Sequence, residues 1–450
     1  MKVIVIGAGT GGLCLAHALR QAGVDVAVYE RDRTRRDGLF GFRVGISPDG
    51  SRALDACLPA HLFDLFRATT AIAPDYFNML TEHLDELLSL RGFAPTDPDA
   101  VESERSVSRM TLRQVLLTGL EDVVQFDKTF SRYETHEGGT VTAFFEDGTS
   151  ATGDVLVGAD GTGSRVRRQY LPHALLKETD LFGATAKLPL TEETRTLLSP
   201  KLLRGVSMIS APLGYSTIIH VMEFPWDHDG TVKHGIGAND AELLRAWPGL
   251  NFDNTRDYIM LGFGSHRRHL PDDFMQLDGP ALHAVLVDRT ASWHPALRTL
   301  YRLADPTTCF PLNIRTSVPV DPWPATRVTL IGDAIHTMTP GLGVGANTAL
   351  RDAQILSERL IQADRNGEPV VAAIGGYERQ MHGYAWDLVA KSLERFDGSS
   401  AIYKPVAGRL ALAGMRTGMR VINHLPPVKH RMAAKMGAER GHGRRLAAVD

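Results

Sequence analysis

The sequence predicts an α/β chain: a βαβ-built domain of nucleotide-binding type, interrupted by a mixed or antiparallel sheet and followed by a helical C-terminal region. Three observations predict it. The first thirty residues read as strand, glycine turn, helix and strand. Two later strand–turn segments, at 155–161 and 328–333, share that texture. Between them, residues 179–318 alternate apolar and polar side chains.

Each element follows from its residues. Val3 to Ile6 is a continuous apolar run, as a strand buried on both faces requires. A glycine turn follows, then a helix from about Gly12 to Ala22 that Gly23 stops. Val24 to Tyr29 is the next strand. Gly148 marks a hairpin turn, Val155-Leu156-Val157 a strand after it, and Val328 to Ile331 another. Within the alternating stretch, Tyr215 to Phe224 reads as an antiparallel strand. Ile218, His220, Met222 and Phe224 lie on one of its faces, and Tyr215, Thr217, Ile219, Val221 and Glu223 on the other. Asp321-Pro322-Trp323-Pro324 looks like a connector back to the first domain. From about residue 349 the pattern is helical. The expected domains are residues 1–70, 105–178 and 319–360, a discontinuous nucleotide-binding unit; 71–104 and 179–318, the inserted unit; and 361–450, the helical region.

Composition narrows the function classes. The 450 residues are 43% hydrophobic and 22% charged, which excludes a disordered or fibrous chain. A net charge of −3 favours neither nucleic acid nor an anionic membrane. Three widely spaced cysteines, Cys14, Cys57 and Cys309, fit a reducing compartment and exclude a disulfide framework or a closed zinc site. No apolar run approaches the ~18–20 residues that span a bilayer, and the N-terminal strand is too quickly broken by glycine to be a signal peptide. The expectation is a cytoplasmic protein, monomer or homodimer, with no metal, no nucleic acid and no stable membrane insertion. Residues 401–450 carry ten Lys/Arg against two acids. That tail reads as a solvated helical cover, with a docking face for an acidic surface as the sharper alternative.

The chemistry begins at Gly7-x-Gly9-x-x-Gly12. A tight turn, close backbone approach to a pyrophosphate, and close helix–strand packing each need one of these glycines. The helix N-terminus then offers free N–H groups and a positive dipole end. Glu30, at the end of the second strand with Arg31 next to it, stands where a carboxylate accepts hydrogen bonds from a ribose diol. On its own this unit leaves NAD, NADP and FAD open.

Two further motifs decide. One is Gly158-Ala159-Asp160-Gly161-x-x-Ser164-x-Val166-Arg167. The other is Gly332-Asp333-Ala334-x-His336-x-x-x-Pro340, running into Gly341-Leu342-Gly343-Val344-Gly345-Ala346-Asn347 and then Asp352-Ala353. Over roughly residues 1–360 these motifs, in this order, resemble the aromatic-hydroxylase type of FAD-dependent monooxygenase, the para-hydroxybenzoate hydroxylase-like flavoproteins. The resemblance makes the discontinuous unit a Rossmann-type, glutathione-reductase-like FAD-binding domain and the inserted unit a substrate domain. It implies Gly7, Gly9 and Gly12 on the FAD pyrophosphate, Glu30 on the adenosine ribose, Asp333 on the ribityl chain, and Asp160 in contacts to both FAD and nicotinamide. It further implies Arg109 near the FAD phosphates and Arg43 near the flavin edge. The turn of Pro340, Gly343, Gly345, Ala346 and Asn347, opening a helix near Asn347, would face the flavin's pyrimidine end. Val344 departs from the pattern, which often has Gln there. No His or Cys in the glycine turns is placed to bond the flavin, so FAD is expected to be held non-covalently. His336 reads as structural.

The activity that the resemblance implies is reduction of FAD by NADPH or NADH, followed by O₂ activation as a flavin C4a-hydroperoxide that hydroxylates or epoxidises a small hydrophobic or aromatic substrate. Phenols, indoles, polycyclic and terpenoid-like compounds are the classes in view. The flavin carries the chemistry, so no nucleophile–base constellation is expected; Arg43 and His220 are the weak catalytic candidates. Phe310, Pro311 and Leu312, with Arg315 nearby, are expected on the strand before the third motif, and this apolar segment favours a hydrophobic substrate. The alternatives are another FAD oxidoreductase on the same fold (an oxidase, a dehydrogenase or an isoprenoid reductase) and a non-enzymatic lipid-binding escort protein.

Overall fold

A computed structural model describes residues 1–34, 41–92, 97, 99–227, 233, 257–404 and 406–441. Two sheets dominate it. The first is five-stranded and parallel, in the order β17 (Val328–Leu330), β11 (Val155–Gly158), β1 (Lys2–Ile6), β2 (Asp25–Tyr29), β7 (Val124–Gln125). β1 lies at its centre, with Val3, Ile4 and Val5 fully buried. Each such side chain contributes about 1.5–3 kcal/mol relative to exposure. Because the strands run parallel, their C-terminal ends at residues 6, 29, 158 and 330 share one edge, where ligands bind in open α/β sheets.

The second sheet is seven-stranded and mostly antiparallel. Its order is β16 (Phe310–Ser317), β12 (Leu176–Pro189), β15 (Tyr258–His266), β14 (Ser216–Met222), β13 (Gly205–Ser210), β4 (Tyr76–Thr81), β5 (Glu86–Arg91). β13 pairs in parallel with β4, so the 76–91 hairpin joins a sheet otherwise built from residues 176–317. A three-stranded meander, β8 (Phe130–Thr135), β9 (Val141–Phe145) and β10 (Ser150–Gly153), turns at Gly148, whose φ is +83°. A two-stranded ribbon of β3 (Arg43–Ile46) and β6 (Arg105–Ser108) is separate from both large sheets. Helices Ala407–Asn423 and Pro426–Glu439 follow the long helices Gly345–Asn366 and Val370–Arg395.

Element ends differ from expectation for local reasons. The first helix spans Thr10–Gln21 and begins two residues early, because the extended Gly9 already offers its carbonyl to the Leu13 N–H at 3.0 Å. The helix expected near Asn347 begins at Gly345. The strand expected over Tyr215–Phe224 is shorter, Ser216–Met222.

The alternating pattern of β14 sorts its faces as its sequence requires. Ile219 and Val221 pack into an apolar core with Leu286, Leu297 and Tyr301 of the helices Gly279–Arg289 and Pro295–Leu303. Met222 and the following Phe224 pack instead with Phe42, Ala71 and Tyr258, toward the β3–β6 ribbon.

Beneath the parallel sheet, Glu378 is buried and accepts a 2.9 Å hydrogen bond from the Thr329 hydroxyl. Burial pushes its carboxyl up to about 7, against that hydrogen bond. The native state therefore holds a proton that the unfolded chain releases near its ordinary value. This contribution to stability is complete below the unfolded pKa and is lost as pH rises toward about 7. Glu378→Gln should flatten that fall and stabilise the protein at about pH 8 by up to about 3 kcal/mol. Urea unfolding at about pH 5 and about pH 8 checks this; an unchanged pH slope in the variant would contradict it.

Candidate active site

The three motifs meet at the C-terminal edge of the parallel sheet. Gly7 (φ +109°) donates its N–H to the Tyr29 carbonyl at 2.8 Å, and a Cβ there would lie 2.4 Å from the Ala159 oxygen. The first and second motifs are thus in backbone contact. The first and third meet over Ala349: a Cβ on Gly11 would come 3.1 Å from its oxygen, and one on Gly332 2.8 Å from its Cβ. Gly332 adopts φ +61°, which turns the chain so that Asp333 faces the cleft.

Gly7, Gly9 and Gly12 have different reasons to be glycine. A Cβ on Gly12 would sit 2.2 Å from the Gly7 oxygen, so helix–strand packing demands it. Among the described residues a Cβ on Gly9 would meet nothing within 4 Å, and its φ of −81° suits any residue. Nothing in the fold requires glycine there. A ligand approaching the backbone would. Gly9 also caps the Thr10–Gln21 helix without any side-chain cap, leaving first-turn N–H groups to a phosphate.

Glu30 is buried, and its two oxygens accept from the Ala8 N–H (2.6 Å) and the Asp32 N–H (3.0 Å). Those bonds fix the carboxylate against the glycine turn and leave lone pairs for ribose hydroxyls. Arg31 beside it is exposed.

Asp333 reaches solvent and is nevertheless walled by protein on most sides, as a group on a cleft floor is. Desolvation raises its pKa above the ordinary value, His336 and Arg109 pull it down, and Asp352 raises it further. Its carboxylate accepts no hydrogen bond from the described residues, whereas its backbone oxygen receives the Thr337 hydroxyl at 2.7 Å. Beneath it, Asp352 takes the Gly332 N–H at 2.7 Å, the His336 Nε2 at 2.6 Å and the Tyr384 hydroxyl. Burial favours neutral His336, but the Asp352 carboxylate prevails and raises its pKa. This buried network holds the Gly332–Asp333 turn, so His336 acts structurally.

Other candidates are placed differently. The Asp160 oxygens are engaged by the Ser164 hydroxyl (2.5 Å) and the Arg165 (2.7 Å) and Val166 (3.3 Å) N–H groups, at the start of the helix Arg165–Tyr170. Its carboxylate holds the turn. Asn347 is buried; its amide oxygen accepts the Ser47 N–H and its nitrogen donates to the Gly45 carbonyl, both within 2.9 Å. The side chain thus ties β3 to the third motif, leaving only backbone for a cofactor. Gly343 (φ +64°) and Pro340 are exposed, and Gly345 and Ala346 half-buried, in the turn before the Gly345–Asn366 helix. Arg109 is exposed, and its guanidinium lies against Gly41. Arg43 donates to Ser106 Oγ from Nε (3.2 Å) and Nη2 (2.9 Å). Desolvation, then Arg440, pull its pKa down to about 10. His220 is 1% exposed, with neither ring nitrogen hydrogen-bonded among the described residues.

Two basic residues here escaped the sequence reading. Arg440 donates to the Leu342 carbonyl at 2.9 Å and pairs with Glu104 at 2.5 Å. Nothing local marks it, since its partners lie about a hundred and more than three hundred residues away. Lys187 lies 4.7 Å from the Tyr258 ring centroid and 5.3 Å from that of Phe42. The alternation of Thr185 and Lys187 along β12 was the signal for it.

The fold and its cleft define a flavoprotein of the FAD-binding class. A family model described as an FAD binding domain matches residues 215–392, and one described as an NAD(P)-binding Rossmann-like domain matches residues 5–45. A crystal structure of a putative FAD-containing monooxygenase from Photorhabdus luminescens superposes with a TM-score of 0.73. It is 32% identical, and the match covers 88% of this chain and 97% of that one. The dual O-methyltransferase/FAD-dependent monooxygenase CTB3 of Cercospora beticola is 32% identical over 84% of this chain and 44% of its own length. The FAD-dependent urate hydroxylase of Klebsiella pneumoniae is 27% identical over 88% of this chain and 90% of its own. The chain spans about half the length of the first of these curated relatives and nearly all of the second. This protein belongs to the FAD-dependent monooxygenases, with FAD as the cofactor and NAD(P)H as the family's usual co-substrate.

Proposed function

We propose that this protein uses NAD(P)H and O₂ to hydroxylate or epoxidise a small hydrophobic or aromatic substrate, with FAD bound non-covalently in the cleft. One observation carries this reading most directly. An Asp333 carboxylate without a hydrogen-bond partner among the described residues shares the sheet edge with Gly9, whose missing side chain the fold does not need. Bound flavin supplies the redox and oxygen chemistry. The residues supply placement. Gly9 and the first turn of its helix hold the pyrophosphate, Glu30 the adenosine ribose and Asp333 the ribityl hydroxyls. The backbone of 343–347, at a helix N-terminus, faces the pyrimidine end with its dipole. Arg109 stands by the phosphates and Arg43 by the flavin edge.

Among the described residues no helix is long and apolar enough to cross a membrane. Three buried, unbridged thiols, Cys14, Cys57 and Cys309, support a cytoplasmic site of action. The test is release of free FAD by heat or acid from the yellow purified protein, together with NAD(P)H oxidation that depends on substrate. That oxidation is expected to run at least about tenfold faster with the true substrate bound, since gating of this kind needs a differential of only about 1.4 kcal/mol. Flavin that stays with the precipitated protein would contradict non-covalent binding; equal rates with and without any substrate tried would contradict gating.

A further inference from the structure

Five of the ten exposed large hydrophobic side chains among the described residues lie between residues 406 and 428: Val406, Leu410, Val421, Leu425 and Val428. Single exposed apolar residues are ordinary, but these are aligned. At 3.6 residues per turn, Leu410, Gly414, Thr417 and Val421 fall within an arc of about 60° on the helix Ala407–Asn423. All four are exposed, and Val406 stands at the head of the row. Val406 and Leu410 are 76% and 74% exposed, and Val421 is 56% exposed. From Leu410 to Val421 the row runs about 16 Å. A Cβ on Gly414 would meet nothing within 4 Å among the described residues, so the space above the row is open.

The helix cannot turn this row inward, because its opposite face is pinned to the inserted sheet. There Leu412 is buried, and Arg416 pairs with Glu82 and donates to the Ser210 carbonyl at 2.7 Å. Asn423 accepts the Ser89 N–H and donates to Glu86, both at 3.1 Å. The helix is therefore apolar on two sides, and the fold uses one of them.

Charge identifies what covers the other. The 41 residues from Gly398 to Ala438 hold seven Lys/Arg and no Asp or Glu, in a chain that carries 52 acids. Arg416 is spent on Glu82, but Lys404, Arg409, Arg420, Arg431 and Lys435 are exposed, and Arg409 and Arg420 flank the row. Arg420 lies 3.9 Å from Asp85, an exposed pair worth little. A second copy of this segment would set cations against cations, with no acid on either side to pair them. Protein partners are held by Trp, Tyr and Arg anchors at a packed centre, whereas this row is aliphatic. An aliphatic row beside long cationic side chains is the pattern of a helix that lies in a lipid headgroup layer.

We propose that the helix Ala407–Asn423 docks this protein reversibly onto an anionic phospholipid surface. Val406, Leu410 and Val421 enter the boundary between headgroups and acyl chains, while Arg409 and Arg420 pair with lipid phosphates. So few apolar side chains adsorb the protein without anchoring it, and attraction to anionic lipid supplies the rest. The inner face stays on the sheet, so docking requires no unfolding.

The test sediments the FAD-loaded protein with vesicles of phosphatidylcholine alone and of phosphatidylcholine mixed with phosphatidylserine, at about 0.1 M salt. The wild type is expected to bind the mixed vesicles at least about tenfold more tightly, a preference that fades at about 1 M salt. Leu410→Asp combined with Val421→Asp should weaken binding to the mixed vesicles at least about tenfold. Arg409→Gln combined with Arg420→Gln should remove the preference for anionic vesicles. All four positions are exposed, so flavin content and melting temperature should match the wild type in both variants. No sedimentation with mixed vesicles, or equal binding to the two vesicle types, would overturn the proposal. Binding that survives the two aspartates would also overturn it, and would assign the face to an acidic protein surface. A concentration-dependent dimer of the wild type that the two aspartates dissolve would overturn it in favour of a second copy of this chain.

Discussion

Gly9→Val is expected to leave the fold intact and reduce FAD affinity at least about a hundredfold, a loss of roughly 2.7 kcal/mol. The fold tolerates the side chain because none of the described residues lies within 4 Å of the new Cβ and the backbone is extended there. The cofactor does not tolerate it, because the pyrophosphate must approach that same surface to reach the first-turn N–H groups. Gly12→Ala is the opposite case. Its Cβ would be driven to 2.2 Å from the Gly7 oxygen, a backbone atom that cannot move aside cheaply. That variant should lose about 3 kcal/mol of stability before any cofactor is considered. Thermal melts of the flavin-free proteins and FAD titrations by fluorescence quenching separate the two. A destabilised apo Gly9→Val, or one that binds FAD as tightly as wild type, would show that the space above Gly9 is not a phosphate site.

Asp333→Ala carries the second large effect, and it acts with opposite signs on stability and on binding. The carboxylate has no hydrogen-bond partner among the described residues and is held above its ordinary pKa chiefly by desolvation. A raised carboxyl pKa means that stability falls as pH rises through the folded value, so removing the group should not lower the apo protein's melting temperature at neutral pH. Flavin affinity, by contrast, should drop ten- to a hundredfold. Charge-assisted contacts to the ribityl hydroxyls are worth about 1.5–3 kcal/mol. An apo protein that melts earlier together with an unchanged FAD dissociation constant would assign Asp333 to the fold and not to the cofactor.

How much of this was legible in the sequence depended on how local each feature is. Gly7, Gly9, Gly12, Glu30 and Asp333 each sit at the end of a short strand within a strand–turn–helix unit, and the parallel sheet brings those ends to one edge. Period-two alternation likewise sorted β14 into two faces that pack in different clusters. Side-chain commitments were less visible. Asn347 spends its amide on the backbone at 45 and 47, and Asp160 spends its carboxylate on the turn at 164–166. The second of these is local, and the Asp160–Ser164 spacing was its signal. Arg440 and Glu104, converging on the 342–343 turn beside Arg43, depend on segments that only tertiary packing joins.

The most direct measurement is isotopic. The FAD-loaded protein, given NAD(P)H and a small hydrophobic or aromatic substrate under ¹⁸O₂, should place one labelled oxygen atom in each product molecule, with one NAD(P)H consumed per product in the coupled reaction. Product oxygen drawn from water, or NAD(P)H consumed to give only hydrogen peroxide with every substrate that binds, would contradict a monooxygenase built on this cleft.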